Sequence, residues 1–494
     1  MNAAVITTRA GQIAGTDDGI TATWKGVRYA QAPVGPLRFR APVPVAPWEG
    51  VVQATEFGPA APQKANPSVP LGPDTVTDED CLSLNVWRSA ATPAAPLPVM
   101  VWLHGGAYTF GASSQPLFDG TTLVSTGEVL LVTVNYRIGA LGFLDLSGFS
   151  DETQAFDSNL ALRDVMLALE WVQANAAAFG GDPHQVTLAG ESAGAGLVTA
   201  MMAVPSAAHL FHRAIVESSP VSSMYDSARA RTVVDRMLTE LGLDASQVGR
   251  LRELPADDLV TAGMAVYAEV PAQAPGTLAF APVVDGDLLP EHPVRVLREG
   301  RANPVPLLIG TNKDEAALFT FMKSPLIPIT EEAITTMLTQ MARQDTSIEL
   351  PTREQILATY AGQRARGTGL GIAREIGFRM PTLWAAEGHA AVAPVFLYRF
   401  DHSTPMLKVL RLGATHATEL PYVWGNLHAD SKDLTFVLGG RGAGREVSHR
   451  MVARWRSFVT TGAPTGSDEL VLWPPFDPHT RRATLVIDHQ DSVV

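Results

Sequence analysis

The 494-residue chain predicts an α/β fold in which helices cover a mainly parallel central sheet. Two observations favour this class. Short, nearly continuous apolar runs rich in Val, Ile and Leu recur along the chain, as in strands that are covered on both faces. Helical patterns separate these runs, and strands that alternate with helices form parallel sheets. The chain is also long enough to bury a large core.

Seven segments are predicted strands and four are predicted helices. The strands are Pro98–Leu103, Val129–Val134, Val186–Gly190, Ala214–Glu217, Val305–Ile309, Pro394–Phe400 and Thr484–Ile487. The helices are Leu160–Phe179, Ala193–Ala203, Ala228–Leu241 and Glu446–Thr460. The intervals of about 220–300 and about 320–392 are longer than a crossover requires, and such insertions usually wall a binding cleft. We therefore expect a single domain over residues 1–494 with these insertions as a cap.

The composition excludes several classes of function. Hydrophobic residues make up 46% of the chain and charged residues 18%, which is typical of a globular protein. The balance of 37 basic and 50 acidic residues, a net charge of −13, lacks the basic excess of a protein that binds nucleic acid or an anionic membrane. No spacing typical of metal ligands or of a dinucleotide-binding loop is found, so we expect no metal and no cofactor.

The cellular compartment is predicted from signals of targeting and from cysteine usage. The single cysteine, Cys81, excludes an internal disulfide and is expected to be a buried free thiol. The first residues show no signal peptide, and no apolar run approaches the length of a membrane span. These features together favour a cytoplasmic protein.

The strongest local motif is Gly190-Glu191-Ser192-Ala193-Gly194, which follows a predicted strand and opens a predicted helix. A sharp strand–turn–helix junction can present the Oγ of Ser192 on a strained turn. The start of the helix adds free N–H groups and a positive potential where an oxyanion would form. The alternative is an ordinary surface serine in a turn.

A second motif, His104-Gly105-Gly106-Ala107, follows the strand Pro98–Leu103. Successive glycines let the backbone approach a ligand closely and direct its N–H groups toward it. Stabilising a tetrahedral intermediate requires two or three such donors. An ordinary Gly-Gly turn is the alternative interpretation.

A nucleophilic serine also needs an imidazole to take its proton and a carboxylate to orient the imidazole. Asp314 and Glu315 both follow the strand Val305–Ile309, and His402 and His416 both follow the strand Pro394–Phe400. Position in the sequence alone does not choose between the two acids or between the two histidines.

Several blocks of sequence, in the same order, resemble the type B carboxylesterase family, which includes bacterial para-nitrobenzyl esterases and cholinesterases. The blocks are Gly26-Val27-Arg28-Tyr29-Ala30, Glu79-Asp80-Cys81-Leu82, Asn135-Tyr136-Arg137, Phe179-Gly180-Gly181-Asp182-Pro183, Gly190–Gly194, Asn312-Lys313-Asp314-Glu315 and Gly413-Ala414-Thr415-His416. They extend over nearly the whole chain. The resemblance implies the α/β-hydrolase fold, with large helical insertions over the cleft.

The resemblance also implies roles for individual residues. It implies Ser192 as nucleophile, Glu315 as acid and His416 as base. An oxyanion hole would be formed by the backbone N–H groups of Gly106, Ala107 and Ala193. Ser218 matches a serine that relatives place near the histidine, where it either makes a supporting hydrogen bond or is a plain strand-end serine.

The expected function is hydrolysis of small to medium, apolar or aryl carboxylic esters through an acyl-enzyme. Alternatives are an acyltransferase, a specialised hydrolase of carbamates or polyester fragments, and a non-catalytic binding protein. Cholinesterases that resemble this chain carry a tryptophan shortly before the Glu79-Asp80-Cys81 block, where its ring holds the quaternary ammonium. Residues 66–72 here contain no aromatic side chain, so choline esters are not the expected substrate. The side chains that could line an apolar pocket, or else belong to the core, are Phe319, Phe321, Met322 and Phe378. The oligomeric state is not predicted.

Overall fold

The structure is a computed structural model that describes residues 2–274, 276–322, 371–428, 433–466 and 470–494, together with isolated residues between 324 and 358. The strands are β1 (Asn2–Thr7), β2 (Gln12–Asp17), β3 (Thr21–Arg28), β4 (Val51–Gln53), β5 (Ser83–Ser89), β6 (Leu97–Leu103), β7 (Leu130–Val134), β8 (Gly181–Glu191), β9 (Arg213–Glu217), β10 (Tyr225–Asp226), β11 (Val283–Val284), β12 (Leu307–Asn312), β13 (Val395–Phe400), β14 (Thr484–Ile487) and β15 (Ser492–Val493).

Twelve α-helices have both of their bounds within the described residues. They are α1 (Thr121–Val124), α2 (Gly139–Phe143), α3 (Leu160–Asn175), α4 (Ala193–Ala203), α5 (Ser227–Glu240), α6 (Ala256–Gln273), α7 (Pro293–Arg298), α8 (Ala316–Phe321), α9 (Met380–His389), α10 (Pro405–Val409), α11 (Leu420–Val423) and α12 (Arg441–Thr461). A π-helical turn, Glu375–Arg379, precedes α9. None of the described helices is long and apolar enough to span a membrane.

The large sheet has the strand order β1-β2-β3-β5-β7-β6-β8-β9-β12-β13-β14-β15, with β4 beside β2. The seven strands from β7 to β14 in this order are parallel to one another. Strands β1, β2, β3 and β5 form an antiparallel extension at one edge, and β15 pairs antiparallel at the other. The predicted fold class, helices around a mainly parallel sheet, is confirmed.

Helices bury both faces of this sheet. Along β6, Val99, Val101 and Leu103 belong to an apolar cluster that includes residues of α3 and α4. Met100 and Trp102 alternate with them and belong to a second cluster, which includes residues of α12. Because both faces are covered, the central strands are nearly continuously apolar, which is the pattern that made them predictable.

The antiparallel extension and the pair β10–β11 were not predicted. β1 and β2 have the sequences NAAVIT and QIAGTD, which contain few large apolar residues, so they lack the continuous apolar run on which the strand predictions rested. The predicted helix Leu160–Phe179 ends as an α-helix at Asn175 and continues as a 3₁₀ turn to Phe179.

The two predicted insertions are described to different extents. The first, about 220–300, contains α5, α6 and α7 together with the short parallel pair β10–β11. About half of the second, about 320–392, lies outside the described residues. The expectation of a single domain with a cap therefore stays a prediction.

Candidate active site

Ser192 lies in the sharp turn between β8 and α4. Its backbone has φ 53° and ψ −120°, a strained conformation for a residue with a side chain. The turn is tightly packed, because a Cβ at position 194 would lie 2.1 Å from the carbonyl oxygen of Leu103. The N–H of Ser192 donates to the carbonyl oxygen of Glu217 at 2.9 Å. This geometry presents the hydroxyl at the N-terminus of α4, as the motif predicts.

Glu315 follows β12 and is fully buried. Its Oε2 lies 2.7 Å from Nδ1 of His416. Its Oε1 accepts hydrogen bonds from the N–H of Asn312 at 2.7 Å and from the hydroxyl of Ser218 at 2.5 Å. Three donors therefore fix both carboxylate oxygens, and Ser218 contacts the acid rather than the histidine.

The neighbouring acid, Asp314, faces another way. Its N–H donates to the carbonyl oxygen of Ala414 at 2.8 Å, and its Oδ2 accepts from the N–H of Ala414 at 3.3 Å. Asp314 thus holds the backbone of the loop that carries His416, whereas Glu315 contacts the imidazole itself.

His416 joins the acid to the serine. Its Nε2 lies 2.8 Å from Oγ of Ser192, and the ring is only 7% exposed. The rings of Phe319 and Phe378 lie against it, with centroid distances of 5.2 and 5.0 Å. Phe321 and Met322, the other two candidate pocket residues, are exposed.

The alternative histidine, His402, lies elsewhere. It is buried beyond the end of β13, where its ring contacts Tyr422 and His489 at centroid distances of 5.2 and 4.8 Å. Burial lowers its pKa to about 4, so this ring is neutral at neutral pH.

A further carboxylate, that of Glu191, lies beside the imidazole. Its Oε1 is 3.3 Å from Nε2 of His416. Burial acts to lower the pKa of His416, but the negative charges of Glu191 and Glu315, with the hydrogen bond from Glu315, outweigh it and raise that pKa. Burial, in turn, raises the pKa of Glu191 to about 7, although His416 opposes the shift. The surroundings therefore favour a positive charge on the ring of His416.

Two more carboxyl groups lie fully buried beneath this site. Glu419 hydrogen-bonds to the side-chain amide of Asn312, and Glu217 accepts from the indole N–H of Trp455 at 2.7 Å. Burial raises the pKa of Glu217 to about 8 and also raises that of Glu419. Both carboxyl groups are thus stabilised in the neutral form, so they add little negative charge beneath Ser192 and His416.

The loop after β6 approaches Ser192 closely. A Cβ at Gly105 would lie 3.2 Å from Cβ of Ser192, and Gly106 and Ala107 have φ of 117° and 52°. Within the described residues, no acceptor takes the N–H groups of Gly106 or Ala107. The N–H of Ala193 begins α4, where no preceding turn can accept it. The backbone therefore leaves N–H groups free on two elements that meet at Ser192.

Sequence reasoning missed the position of the Glu191 carboxylate. It left open whether Ser218 makes a supporting hydrogen bond, and in the structure the hydroxyl donates to Glu315. Glu191 occupies a variable position of its motif, so no spacing could have signalled it. By contrast Cys81 is fully buried as expected, and burial raises the pKa of its thiol.

Comparisons with known proteins extend over the whole chain. A family model described as the carboxylesterase family matches residues 2–493. The para-nitrobenzyl esterase of Bacillus subtilis (strain 168) is 37% identical over 99% of this chain and 96% of its own length. The phenmedipham hydrolase of Pseudarthrobacter oxydans is 34% identical over 99% and 95%.

Solved structures show the same similarity. A PNB esterase superimposes with a TM-score of 0.85 at 36% identity, covering 99% of this chain and 97% of that one. The carboxylesterase of Geobacillus stearothermophilus superimposes with a TM-score of 0.84 at 35% identity and the same coverage. By its full-length family match, its relatives and its α/β-hydrolase fold, the chain belongs to the carboxylesterase family, the hydrolases of carboxylic esters.

Proposed function

We propose that the chain hydrolyses carboxylic esters through an acyl-enzyme on Ser192, with His416 as base and Glu315 as the acid that orients it. The observation that carries the proposal is the continuous pair of contacts through His416, 2.8 Å to Ser192 and 2.7 Å to Glu315. Because Glu315 accepts from Nδ1–H, the other ring nitrogen is left as the proton acceptor that Ser192 needs.

In the acylation step, Nε2 of His416 takes the hydroxyl proton as Oγ of Ser192 forms a bond to the ester carbonyl carbon. The negative charge that develops on the carbonyl oxygen is stabilised by the N–H groups of Gly106, Ala107 and Ala193, each contributing roughly 3 kcal/mol. As the bond to the alcohol breaks, His416 returns the proton to the leaving oxygen. Water then repeats the sequence on the acyl-enzyme and releases the acid.

The buried carboxylates support this chemistry electrostatically. During the reaction the imidazolium forms in the transition states and the tetrahedral intermediates, where the negative charges of Glu191 and Glu315 attract it. Interactions that are stronger in the transition state than in the ground state accelerate the reaction. The raised pKa of His416 reports the same attraction in the free protein.

The substrate proposed is a small to medium ester with an apolar or aryl group. Phe319 and Phe378 place two aromatic rings beside His416, where part of a bound ester would lie. The insertions about 220–300 and 320–392 are proposed to complete the pocket within one domain. Carbamates and polyester fragments remain alternatives because the same residues would cleave them, and the related phenmedipham hydrolase makes phenmedipham a useful trial substrate.

The test is release of nitrophenol from para-nitrophenyl acetate, butyrate and octanoate. The Ser192→Ala variant, with its circular dichroism spectrum unchanged, should lose about 10⁴-fold or more of kcat/KM. Ser206→Ala, which changes an exposed serine, is the control and should retain activity. Comparable activity in Ser192→Ala, or none in the folded wild type, would overturn the proposal. Product analysis with added alcohols separates hydrolysis from acyl transfer.

A further inference from the structure

We propose that His402, Asp488 and His489 form a binding site for a divalent transition-metal ion, best suited to Zn²⁺. His402 lies beyond the end of β13 and the other two lie beyond the end of the adjacent parallel strand β14. One ligand atom from each side chain lies within 4.8 Å of the others. Within the described residues, this is the one group of three or more His, Cys, Asp or Glu side chains with that geometry.

The distance between the candidate ligand atoms suits a shared metal ion better than a hydrogen bond between the two side chains. Nδ1 of His402 lies 3.5 Å from Oδ1 of Asp488, which is longer than the 2.7–3.2 Å of an N–H···O hydrogen bond. Two ligands that are each about 2.1 Å from a tetrahedral ion are separated by about 3.4 Å. The pair therefore already has nearly the spacing of two zinc ligands.

His402 supplies a second, independent observation. Its side chain is only 2% exposed, and neither ring nitrogen has a hydrogen-bond partner. Buried polar atoms without partners are costly and uncommon, and a bond to a metal would satisfy one of these nitrogens.

The backbone holds these donors in place. The N–H groups of Asp401 and His402 both donate to the carbonyl oxygen of Ile487, at 2.9 and 3.1 Å. On the other side of the group, Nη2 of Arg450 donates to the carbonyl oxygen of Asp488 at 2.6 Å. The loop that carries His402 is thus held to the end of β14 and the loop after β14 is held to α12, so little ordering is required for metal binding.

The donor set and its exposure indicate the class of ion. Two imidazoles with one carboxylate suit Zn²⁺, Co²⁺ or Ni²⁺, whereas Mg²⁺ and Ca²⁺ prefer oxygen ligands alone. Asp488 and His489 are open to solvent, so an ion can enter and keep water as a fourth ligand. The site is separate from His416 and Ser192, and the inference does not depend on the proposed function.

The test is equilibrium dialysis of the full chain, without a polyhistidine tag, against ZnCl₂, followed by metal analysis. Wild type should bind one Zn²⁺ ion per chain. Asp488→Asn and His489→Ala should each raise the Kd for Zn²⁺ by at least about tenfold. His209→Ala, which removes an exposed histidine far along the chain, is the matched control and should leave Kd within about twofold. Zn²⁺ should also raise the Tm of wild type more than that of either variant.

Both test variants change solvent-accessible side chains, so they should fold, and circular dichroism checks that they do. Co²⁺ provides a second measurement, because bound in this site it should show the visible absorption of four-coordinate cobalt, lost in Asp488→Asn. Unchanged Zn²⁺ affinity in both variants would mean an adventitious ion only and would overturn the proposal. Failure of wild type to bind Zn²⁺ at micromolar concentrations would overturn it as well.

Discussion

Two histidines lie in the segment that follows β13, His402 directly after the strand and His416 after α10, and the structure gives them opposite electrostatic surroundings. His402 and His416 are both buried, at 2% and 7% exposure. Burial lowers the pKa of His402 to about 4, whereas the charges of Glu191 and Glu315 raise the pKa of His416 against the effect of burial. The difference comes from the buried carboxylates of Glu191, at the end of β8, and Glu315, after β12, which lie beside His416. The carboxylate next to His402, that of Asp488, is partly exposed and lies 3.5 Å away.

The comparison teaches that the position of a histidine after a strand does not make it a base. A base needs a carboxylate that fixes its tautomer and stabilises its charged form. Glu315 is 101 residues from His416 in sequence and Ser192 is 224 residues away, so only the sheet topology can bring the three together.

The largest expected effect concerns the two histidines. His416→Gln should lower kcat/KM for para-nitrophenyl butyrate by about 10⁴-fold or more, because Ser192 loses its proton acceptor. His402→Gln should lower it by less than about tenfold, since that ring contacts no group of the site. Equal losses of kcat/KM in the two folded variants would contradict the distinction between His416 and His402.

The two acids allow a second matched test. Glu315→Gln should reduce kcat by about 10³- to 10⁴-fold, because an amide can favour the wrong tautomer of His416 and cannot stabilise its positive charge. Asp314→Asn, which alters a side chain bonded to the N–H of Ala414 rather than to the imidazole, should cost less than about tenfold. Steady-state kinetics on both variants decides the assignment, and a greater loss for Asp314→Asn would reverse it.

The third prediction concerns the pH dependence. His416 accepts a proton only when neutral, so its raised pKa places the acidic limb of kcat/KM above the ordinary value for histidine. Glu191→Gln removes one of the charges that raise this pKa, so the acidic limb should move to lower pH. The loss of imidazolium stabilisation should also cost roughly tenfold in kcat, about 1.4 kcal/mol.

A pH–rate profile of the Glu191→Gln variant checks both parts of this prediction. Glu299→Gln, a change of charge on an exposed side chain, is the control and should leave the profile of wild type unaltered. A limb that stays in place in Glu191→Gln would show that Glu191 does not act on His416.

The smallest expected effect concerns Ser218, whose hydroxyl donates to Glu315 at 2.5 Å. Ser218→Ala should lower kcat/KM about three- to tenfold and stability by about 1 kcal/mol, because Glu315 keeps two of its three donors. Kinetics and urea denaturation measure the two effects. Ser218→Thr, which keeps a hydroxyl, should recover part of the activity if the hydrogen bond positions Glu315.

Sequence predicted the elements that are buried on both faces better than the half-exposed antiparallel extension of the sheet. The strand Thr484–Ile487 and the helix Ala193–Ala203 agree with the structure to the residue, because both faces of these elements are buried and their apolar patterns are strong. β1 and β2 were missed because small and polar residues dilute the pattern at a half-exposed edge.

The candidate site was likewise predicted only in part. Motif context singled out Ser192, but the choice of Glu315 over Asp314 came from the resemblance to a family and not from local sequence. The charge of Glu191 next to His416 could not be foreseen, because it depends on how the end of β8 is oriented toward a loop more than 200 residues away.

Covalent labelling with a fluorophosphonate ester probe, read by intact-protein mass and peptide mapping, tests most directly whether Ser192 is the activated nucleophile. We expect one adduct per chain, on Ser192, and none in Ser192→Ala. We also expect His416→Gln to be labelled at least about 10²-fold more slowly than wild type. An adduct on another residue, or equal labelling of wild type and Ser192→Ala, would contradict the central claim that Ser192 is the nucleophile activated by His416.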